Sequence, residues 1–316
     1  MQFTTQIPIP KSNHPIDYNS EIVSLGSCFA VNISEKFEYY KFRNSVNPLG
    51  ILFHPLAIEK LVSFAVAEKK FTENDVFYLN DCWHSFDVHS DLNAIEQNEI
   101  VTNLNNAVER FRDELSKATH LIVTLGTAWV YRNIASDEIV ANCHKVPQKH
   151  FTKELLSAET ILQALQNTFD QIYTLNPNIK AILTVSPVRH IKDGFTENQW
   201  SKSNLISAVH QFISKNSSQI SYFPSYEIMM DELRDYRFYT EDMIHPNQTA
   251  IDYIWKKFSE TTIADETVIT MKIVSSIQKG LSHRPFNQNT NAYRDFQNQL
   301  QEKITKLQEQ FPHIFF

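Results

Sequence analysis

Glycine is scarce in this sequence, with five glycines in 316 residues. Two of them, Gly26 and Gly126, end runs of apolar residues. Glycine is favoured where φ is positive or where the backbone closely approaches another group, so each glycine in such a sequence is informative. We therefore expect residues 21–25 and 120–125 to be strands that end in tight turns.

Cysteine and long apolar runs are also lacking. Cys28, Cys82 and Cys143 are an odd and sparse set, which fits a reducing compartment better than a disulfide framework. No stretch approaches the roughly 18 consecutive apolar residues of a membrane span. Residues 1–11 contain no basic segment followed by an apolar one, so no signal peptide is predicted. These features predict a cytoplasmic protein with no membrane partner.

Runs of charge of one sign are absent as well. The formal net charge of −7 is a mild acidic excess spread along the chain. Nucleic acids and anionic membrane surfaces attract clustered lysine and arginine, which this sequence does not contain. We therefore expect a small substrate, neutral or cationic, and predict no nucleic-acid partner, no cofactor and no metal.

Segments of strand length alternate with helical periodicities along most of the chain. The strand segments are residues 21–25, 120–125, 179–185 and 220–224, together with an extended piece at 43–47, and the main helical segments are 29–40, 55–67, 96–117, 158–175, 203–215 and the segment after Pro246. This alternation predicts an α/β fold with a parallel, doubly wound sheet of five strands.

Two regions depart from this alternation. Residues 68–95 are irregular and aromatic, and we predict an inserted loop or hairpin there. Residues 261–316 have a helical pattern, and apolar side chains recur along one face of 293–311. We predict a main domain of residues 1–260 and a helical C-terminal extension. The apolar face packs either on its own domain or against a second copy, in a homodimer.

Ser27 is the first candidate for chemistry. Reactive groups collect at the carboxyl ends of strands in open α/β sheets, and Ser27 follows the first predicted strand. Gly26 before it permits a sharp strand-to-helix turn, which offers a nucleophile and an oxyanion-binding amide together. The other interpretation is that Ser27 caps the following helix. This segment alone does not decide between them.

His245 is the second candidate. A serine hydroxyl needs an adjacent base, and that base needs a third group to hold its tautomer. Asp242 precedes His245 by three residues, after the last predicted strand. The same spacing occurs at Asp81 and His84, in the irregular insertion. Position therefore favours Asp242 and His245 as the catalytic pair.

Several motifs, in order along the chain, resemble one family. The segment Gly26-Ser27-Cys28-Phe29-Ala30 is similar to the signature of the GSCFA domain family, which belongs to the SGNH, or GDSL-like, hydrolase superfamily. Other similar segments are 124–129, 142–145, 186–190 and 242–246. The resemblance extends from about Ser20 to Phe258.

This resemblance implies a flavodoxin-like three-layer αβα sandwich of the SGNH-hydrolase type. It also implies a serine hydrolase that acts on short-chain acyl or carbohydrate acetyl esters through a covalent acyl-enzyme. Ser27 would be the nucleophile, His245 the base and Asp242 the group that orients it. The alternative is a non-catalytic or weakly active module that binds a sugar or acyl ligand in the same pocket.

An oxyanion hole is implied too. In the superfamily it is formed by the serine amide, a glycine amide after the second strand and an asparagine after the third. Gly50 fits the glycine, but Ala128 stands at the place of the asparagine. Loss of one such donor typically costs about 3–4 kcal/mol of transition-state stabilisation, so another group must replace it in an active enzyme. Thr127, Asn47 and His144 are the candidates.

Two competing sites involve cysteine. Cys28 could supply a thiol nucleophile, but a residue one step into the helix should point toward the sheet. A zinc site could be assembled from cysteines and histidines at spacings that match no common zinc motif. Its members would be Cys82, His84, His89, Cys143 and His144.

Basic residues near the expected pocket form the last set. Arg189 and His190 follow the fourth predicted strand, where they would bind a carboxylate or phosphate of the substrate. The other interpretation is a salt bridge to acidic neighbours. His84 and His144 flank loops on the side of the insertion and the third strand, and we expect them to line the pocket.

Overall fold

The computed structural model describes residues 5–287 and 289–316. The strands are β1 (Glu21–Gly26), β2 (Arg43–Val46), β3 (Phe77–Leu79), β4 (Cys82–His84), β5 (His120–Leu125), β6 (Trp129–Asn133), β7 (Glu138–Val140), β8 (Phe151–Leu155), β9 (Lys180–Val185) and β10 (Ile220–Tyr222). The helices are α1 (Cys28–Tyr39), α2 (Pro55–Val66), α3 (Gln97–Lys117), α4 (Ala158–Leu175), α5 (Phe195–Asn216), α6 (Ser225–Glu227), α7 (Gln248–Thr262), α8 (Asp265–Ser282) and α9 (Asn291–Gln310).

Five parallel strands form the central sheet, in the order β10-β9-β5-β1-β2. Counted along the chain, this is the order 2-1-3-4-5 of flavodoxin-like folds. Every residue of β5 is buried, and β1 is buried from Ile22 to Gly26, as strands covered on both faces require. The predicted parallel five-stranded sheet is confirmed.

Helices cover both faces of this sheet. Successive strand residues point to opposite faces, so Leu121 and Ile122 of β5 enter different apolar cores. The core around Leu121 is completed by α2, α3, α4 and α5. The core around Ile122 is completed by α1, α7, α8 and α9. The three-layer αβα arrangement is therefore confirmed.

A small antiparallel sheet, in the order β7-β6-β8, lies between β5 and α4 in the sequence. The apolar pattern did not predict it, because its short strands carry many partly exposed polar and aromatic side chains. Trp129 of β6 pairs with Leu155 of β8 in this sheet. The predicted insertion contains a second local element, the hairpin β3–β4.

Helix α5 begins at Phe195, well before the start predicted near residue 203. Its first turns bury three polar side chains, those of Asn198, Ser201 and Lys202. Apolar periodicity cannot detect a helix face of this kind, because the buried positions carry the residue types that normally mark an exposed face.

The C-terminal helices pack on the same chain. Leu300 and Leu307 of α9 are buried in the core that also contains α1 and α7. The Phe311 ring lies 5.0 Å from the Tyr18 ring, between centroids. The apolar face therefore has a partner within the chain, and a homodimer through this helix stays a prediction. Within residues 5–287 and 289–316, no helix is both long enough and apolar enough to cross a membrane.

Candidate active site

A cleft of about 500 Å³ lies at the carboxyl ends of the central strands. The loops after β2, β5 and β9 line it, and the small antiparallel sheet contributes Trp129, Tyr131 and Val140. Open α/β sheets bind ligands at the carboxyl ends of the strands, where the strand order reverses. Here that point lies between β1 and β5, which are followed directly by Ser27 and Gly126.

Ser27 lies in a turn that requires glycine at position 26. Gly26 has φ +127°, and a Cβ atom there would be 2.1 Å from the carbonyl oxygen of Thr124. The Ser27 amide donates to that same oxygen at 3.0 Å, and the Ser27 hydroxyl accepts a 3.3 Å hydrogen bond from the Phe29 amide. Ser27 is 2% exposed and caps α1. Its role as a nucleophile stays a prediction.

Asp242 and His245 form a hydrogen-bonded pair in the loop before α7. One carboxylate oxygen of Asp242 lies 2.6 Å from Nδ1 of His245. The other accepts hydrogen bonds from the Thr240 hydroxyl at 2.7 Å and from the amides of Ile244 and His245 at 2.8 and 3.0 Å. The bond from Thr240, followed by those from His245, holds the pKa of Asp242 well below its usual range. Asp242 is therefore a fixed negative charge that orients the imidazole.

His245 of this pair is among the residues that line the cleft, whereas Asp242 and Ser27 are not. His245 lines the cleft with 47% of its side chain exposed. Burial raises the pKa of Cys28, the Lys202 ammonium group opposes that rise, and the Asp242 carboxylate adds to it. The Asp242 charge thus acts on the residue next to Ser27. Among the described residues, no hydrogen bond joins the Ser27 hydroxyl to His245.

The raised pKa of Cys28 bears on the thiol alternative. A thiol must lose its proton to become a strong nucleophile, and burial keeps this one protonated at neutral pH. Cys28 is therefore a poorer candidate nucleophile than its position beside Ser27 suggests.

Of the groups predicted for the oxyanion hole, Asn47 has a donor to spare. Its Oδ1 accepts the Gly26 amide at 2.8 Å, while its buried Nδ2 lacks a hydrogen-bond partner within the described part of the chain. The Gly50 amide donates to the Asn47 carbonyl at 2.7 Å. The Thr127 hydroxyl lies 2.9 Å from the Ser201 hydroxyl. Asn47 is therefore the strongest of these candidates.

His84 of the insertion and His144, which follows β7, pack in one aromatic cluster with ring centroids 5.0 Å apart, and neither is among the residues that line the cleft, where we expected them. Both nitrogens of His144 are engaged, Nδ1 with the Ser90 hydroxyl at 3.2 Å and Nε2 with the Ser85 carbonyl at 2.6 Å. Burial, the largest cause, lowers the pKa of His144 to about 4. These contacts stabilise the insertion and leave His144 no free donor for an oxyanion. No group of three metal-ligating side chains occurs in the described residues.

Arg189 braces the loop that carries His245. Its amide donates to the Ile244 carbonyl at 3.3 Å, and its guanidinium group donates to the Met243 carbonyl. The guanidinium carbon lies 4.5 Å from the centroid of the Tyr239 ring. Met243 has φ +58°, which is uncommon for a residue other than glycine. Arg189 therefore holds this turn, a role that neither prediction for it included.

His190 lines the cleft beside Arg189. Its amide donates to Oδ1 of Asn198 at 2.8 Å. Burial, followed by the charges of Lys202 and His245, lowers the pKa of His190 to about 3. The ring is therefore neutral at pH 7, and it offers no positive charge to a substrate anion.

The first turns of α5 support the loops after β5 and β9, and sequence reasoning missed them. The Ser201 hydroxyl accepts the Ala128 amide at 2.7 Å and also bonds to Thr127. Lys202 donates to carbonyl oxygens at the ends of both strands. The available signal was the spacing of Asn198, Ser201 and Lys202, which places them on one helix face. A helix face with these polar residues would ordinarily be predicted to be exposed to solvent.

Fold and site together define an α/β protein with a flavodoxin-like sheet and a histidine–aspartate pair at its carboxyl edge. The chain belongs to the GSCFA family, whose model matches residues 21–258, and residues 274–316 match the model described as GSCFA domain protein, C-terminal domain. No curated protein sequence matches the chain.

One solved structure with similarity to this chain is an acetyl xylan esterase from the rumen bacterium Butyrivibrio proteoclasticus. The two are 11% identical, and the TM-score is 0.31. The similarity covers 79% of this chain and 64% of that one, so this chain spans less than two thirds of the esterase.

Proposed function

We propose that this protein is a serine hydrolase that acts on ester bonds. Ser27 is the nucleophile, His245 the general base and Asp242 the carboxylate that orients it. The observation that carries this proposal is the 2.6 Å contact between Asp242 and Nδ1 of His245, at a cleft where the strand order reverses. The order of serine, aspartate and histidine motifs also resembles that of SGNH hydrolases.

The reaction begins with attack of the Ser27 oxygen on the acyl carbon. Nε2 of His245 takes the hydroxyl proton and then gives it to the departing alkoxide, which leaves Ser27 acylated. Water attacks this ester with His245 again as base, and the acid and free Ser27 are released. The free Nδ2 group of Asn47 is the side-chain donor proposed for the oxyanion in both steps.

Ser27 must change its hydrogen bonding for this reaction. Its present bond from the Phe29 amide is 3.3 Å long, which is outside the usual range for N–H···O bonds. For the reaction to occur, rotation about χ1 must exchange this weak cap for a bond to His245. Catalytic hydrogen bonds are often absent or long before substrate binds, so the present conformation is compatible with the proposal.

The lining of the cleft suits a short acyl ester. Phe53, Val188 and Ile244 provide apolar surface, and the volume of about 500 Å³ is that of a small-molecule site. The charged residues Arg189, Lys192 and Asp193 also line it, and the Asp193 carboxylate is paired with Lys153. We therefore propose neutral or anionic substrates, such as short-chain acyl or carbohydrate acetyl esters, in preference to cationic ones.

A binding module is the second candidate. It is favoured by the local hydrogen bonds of Ser27, whose amide and hydroxyl are both engaged, and by its 2% exposure. Such a module would hold a sugar or acyl ligand in the same cleft without a covalent step.

Covalent labelling by a fluorophosphonate probe separates the two candidates. The hydrolase should be labelled on Ser27, and Ser27→Ala should abolish labelling. Because Ser27→Ala also removes a helix cap, Ser157→Ala is the matched control. Ser157 caps α4 by accepting the Thr160 amide at 3.2 Å, and loss of either cap costs about 1 kcal/mol of stability. Absence of label on folded wild-type protein would favour the binding module.

A further inference from the structure

Lys202 of α5 is a fully buried lysine, with 1% of its surface exposed. Its ammonium group donates to the Gly126 carbonyl at 2.7 Å and to the Ser186 carbonyl at 2.8 Å. Gly126 directly follows β5 and Ser186 directly follows β9. One side chain therefore joins the ends of two neighbouring central strands, at the edge of the sheet where the cleft lies.

A lysine at this position is unfavourable for stability alone. Removing an ammonium group from water is costly, and a protein with a well-packed apolar residue at such a site is often as stable or more stable. The two carbonyl groups accept hydrogen bonds without supplying a negative charge to neutralise the lysine. Buried, incompletely neutralised charges of this kind concentrate at functional sites.

The groups that face Lys202 come from three elements. Cys28 lies at the start of α1, His190 follows β9, and Glu227 ends α6. The ammonium nitrogen also lies 5.4 Å from the centroid of the Tyr226 ring. Burial lowers the pKa of Lys202 to about 7, while Cys28 and Glu227 oppose that change. The charge of Lys202 thus acts on the residue next to Ser27.

We propose that Lys202 is a positioning residue of the active site, which ties the loops after β5 and β9 together and places a positive charge near the Ser27 turn. The catalytic part of this proposal rests on the proposed function. When Ser27 attacks an ester, negative charge develops on the oxyanion, and the protonated form of Lys202, in a water-poor region, stabilises it. The bonds to Gly126 and Ser186 also fix the backbone that leads to Thr127 and His190.

The test compares two variants. Lys202→Met keeps most of the side-chain length but removes the charge and the hydrogen-bond donors, whereas Lys202→Arg keeps the charge and the donors. The first readout is independent of turnover: the pH dependence of Cys28 alkylation by iodoacetamide, followed by peptide mass spectrometry with Cys143 as internal reference. Lys202→Met should slow Cys28 alkylation at pH 6, where Lys202 is protonated and its charge favours the thiolate, and Lys202→Arg should restore the rate. The Cys143 curve should stay in place.

The second readout is turnover of a short acyl ester. Lys202→Met should lower kcat about tenfold to a hundredfold with a smaller change in KM, since the charge acts mainly on the transition state. Lys257→Met is the matched control. Lys257 donates to the buried carboxylate of Glu232, outside the cleft, so this variant also removes a bonded lysine. It should leave both readouts unchanged.

A folded Lys202→Met protein with wild-type Cys28 alkylation would overturn the proposal. If the wild-type protein also shows no turnover, the proposed hydrolase function fails. The effect of Lys202 on Cys28 alkylation can still be measured in that case, so the two failures are distinguishable. Should neither variant fold, nitrogen NMR of wild-type protein with labelled lysine decides. One lysine ammonium group whose protons exchange slowly with water at pH 6, as the bonds to the Gly126 and Ser186 carbonyls require, supports the proposal, and rapid exchange at every lysine contradicts it.

Discussion

The chain contains two Asp-x-x-His segments, and they fold into different structures. In the insertion, Asp81 lies in the turn of the β3–β4 hairpin with φ +60°, and His84 ends β4. Successive strand residues advance by about 3.3 Å, so the two side chains are carried apart. In the loop before α7 the backbone turns back, and the side chains of Asp242 and His245 meet at 2.6 Å. Spacing in the sequence therefore does not define such a pair; the local turn does.

The two histidines also differ in their surroundings. Nε2 of His84 bonds to the Leu79 carbonyl at 2.9 Å, and the residue is 7% exposed among aromatic neighbours. His245 has its Nδ1 on a carboxylate and its ring in the cleft. The first histidine stabilises a hairpin, and the second is the proposed general base.

The largest expected effect comes from breaking the loop pair. Asp242→Asn should lower turnover of a short acyl ester about 10³–10⁴-fold, because a neutral amide no longer holds the productive tautomer of His245. Steady-state kinetics on purified protein measures this. Asp81→Asn is the matched control in the hairpin and should leave turnover unchanged. Equal losses in the two variants would remove the distinction between the segments.

A smaller effect is expected from the residue that holds the loop. Arg189→Met removes the donor to the Met243 carbonyl and the contact with Tyr239. We expect kcat to fall about tenfold to a hundredfold, because a small displacement of His245 weakens proton transfer. Lys192→Met, which also changes a cleft-lining cation, should have little effect on kcat. A raised KM with unchanged kcat in Arg189→Met would indicate substrate binding instead.

The smallest expected effect is on the stability of the folded protein, and it comes from His144, which bonds to Ser85 and Ser90 of the insertion. Because the pKa of His144 is about 4 in the folded protein, the unfolded chain binds more protons between about pH 4 and 6.5. The free energy of unfolding should therefore fall as the pH is lowered through that window, with His144 contributing about 1–2 kcal/mol between pH 7 and 5. Buried His54, whose pKa burial lowers to about 4, acts in the same direction.

Denaturant unfolding of His144→Gln at pH 7 and pH 5 measures that contribution. The difference between the two pH values should shrink relative to wild type. Phe77→Leu, a substitution in the same aromatic cluster, should lower stability by similar amounts at both pH values. An unchanged pH difference in His144→Gln would show that this histidine is not held neutral by burial.

Apolar patterning was sufficient to predict the buried strands of the central sheet, whereas the polar edge strand β2 was predicted from its place before the turn at Gly50. The runs at β1, β5 and β9 are strands because both of their faces are buried, and the turn at Gly26 follows from the one residue type that fits it. The pairing of Asp242 with His245 was also predicted from position, since both residues lie in the loop between the last central strand and α7. These features depend on residues that are close together in the sequence, so they can be predicted from the sequence alone.

The parts that patterning missed depend on contacts between distant segments. Lys202 and Ser201 resemble exposed helix residues until the ends of β5 and β9 are placed over them. Asn47 is a candidate oxyanion donor because the Gly26 amide fixes its Oδ1, while its Nδ2 has no hydrogen-bond partner among the described residues. Long-range polar contacts leave no periodic trace, so they emerge from the three-dimensional structure.

We propose that the Asp242–His245 pair activates Ser27. The most direct measurement is to mix the protein with p-nitrophenyl acetate, quench it within one turnover and map the acetylated peptide by mass spectrometry. We predict an acetyl group on Ser27 in wild type, formed with a burst of p-nitrophenol, and its loss in His245→Ala. Acetylation of Cys28 instead, or of no residue in the Ser27 turn, would contradict this account.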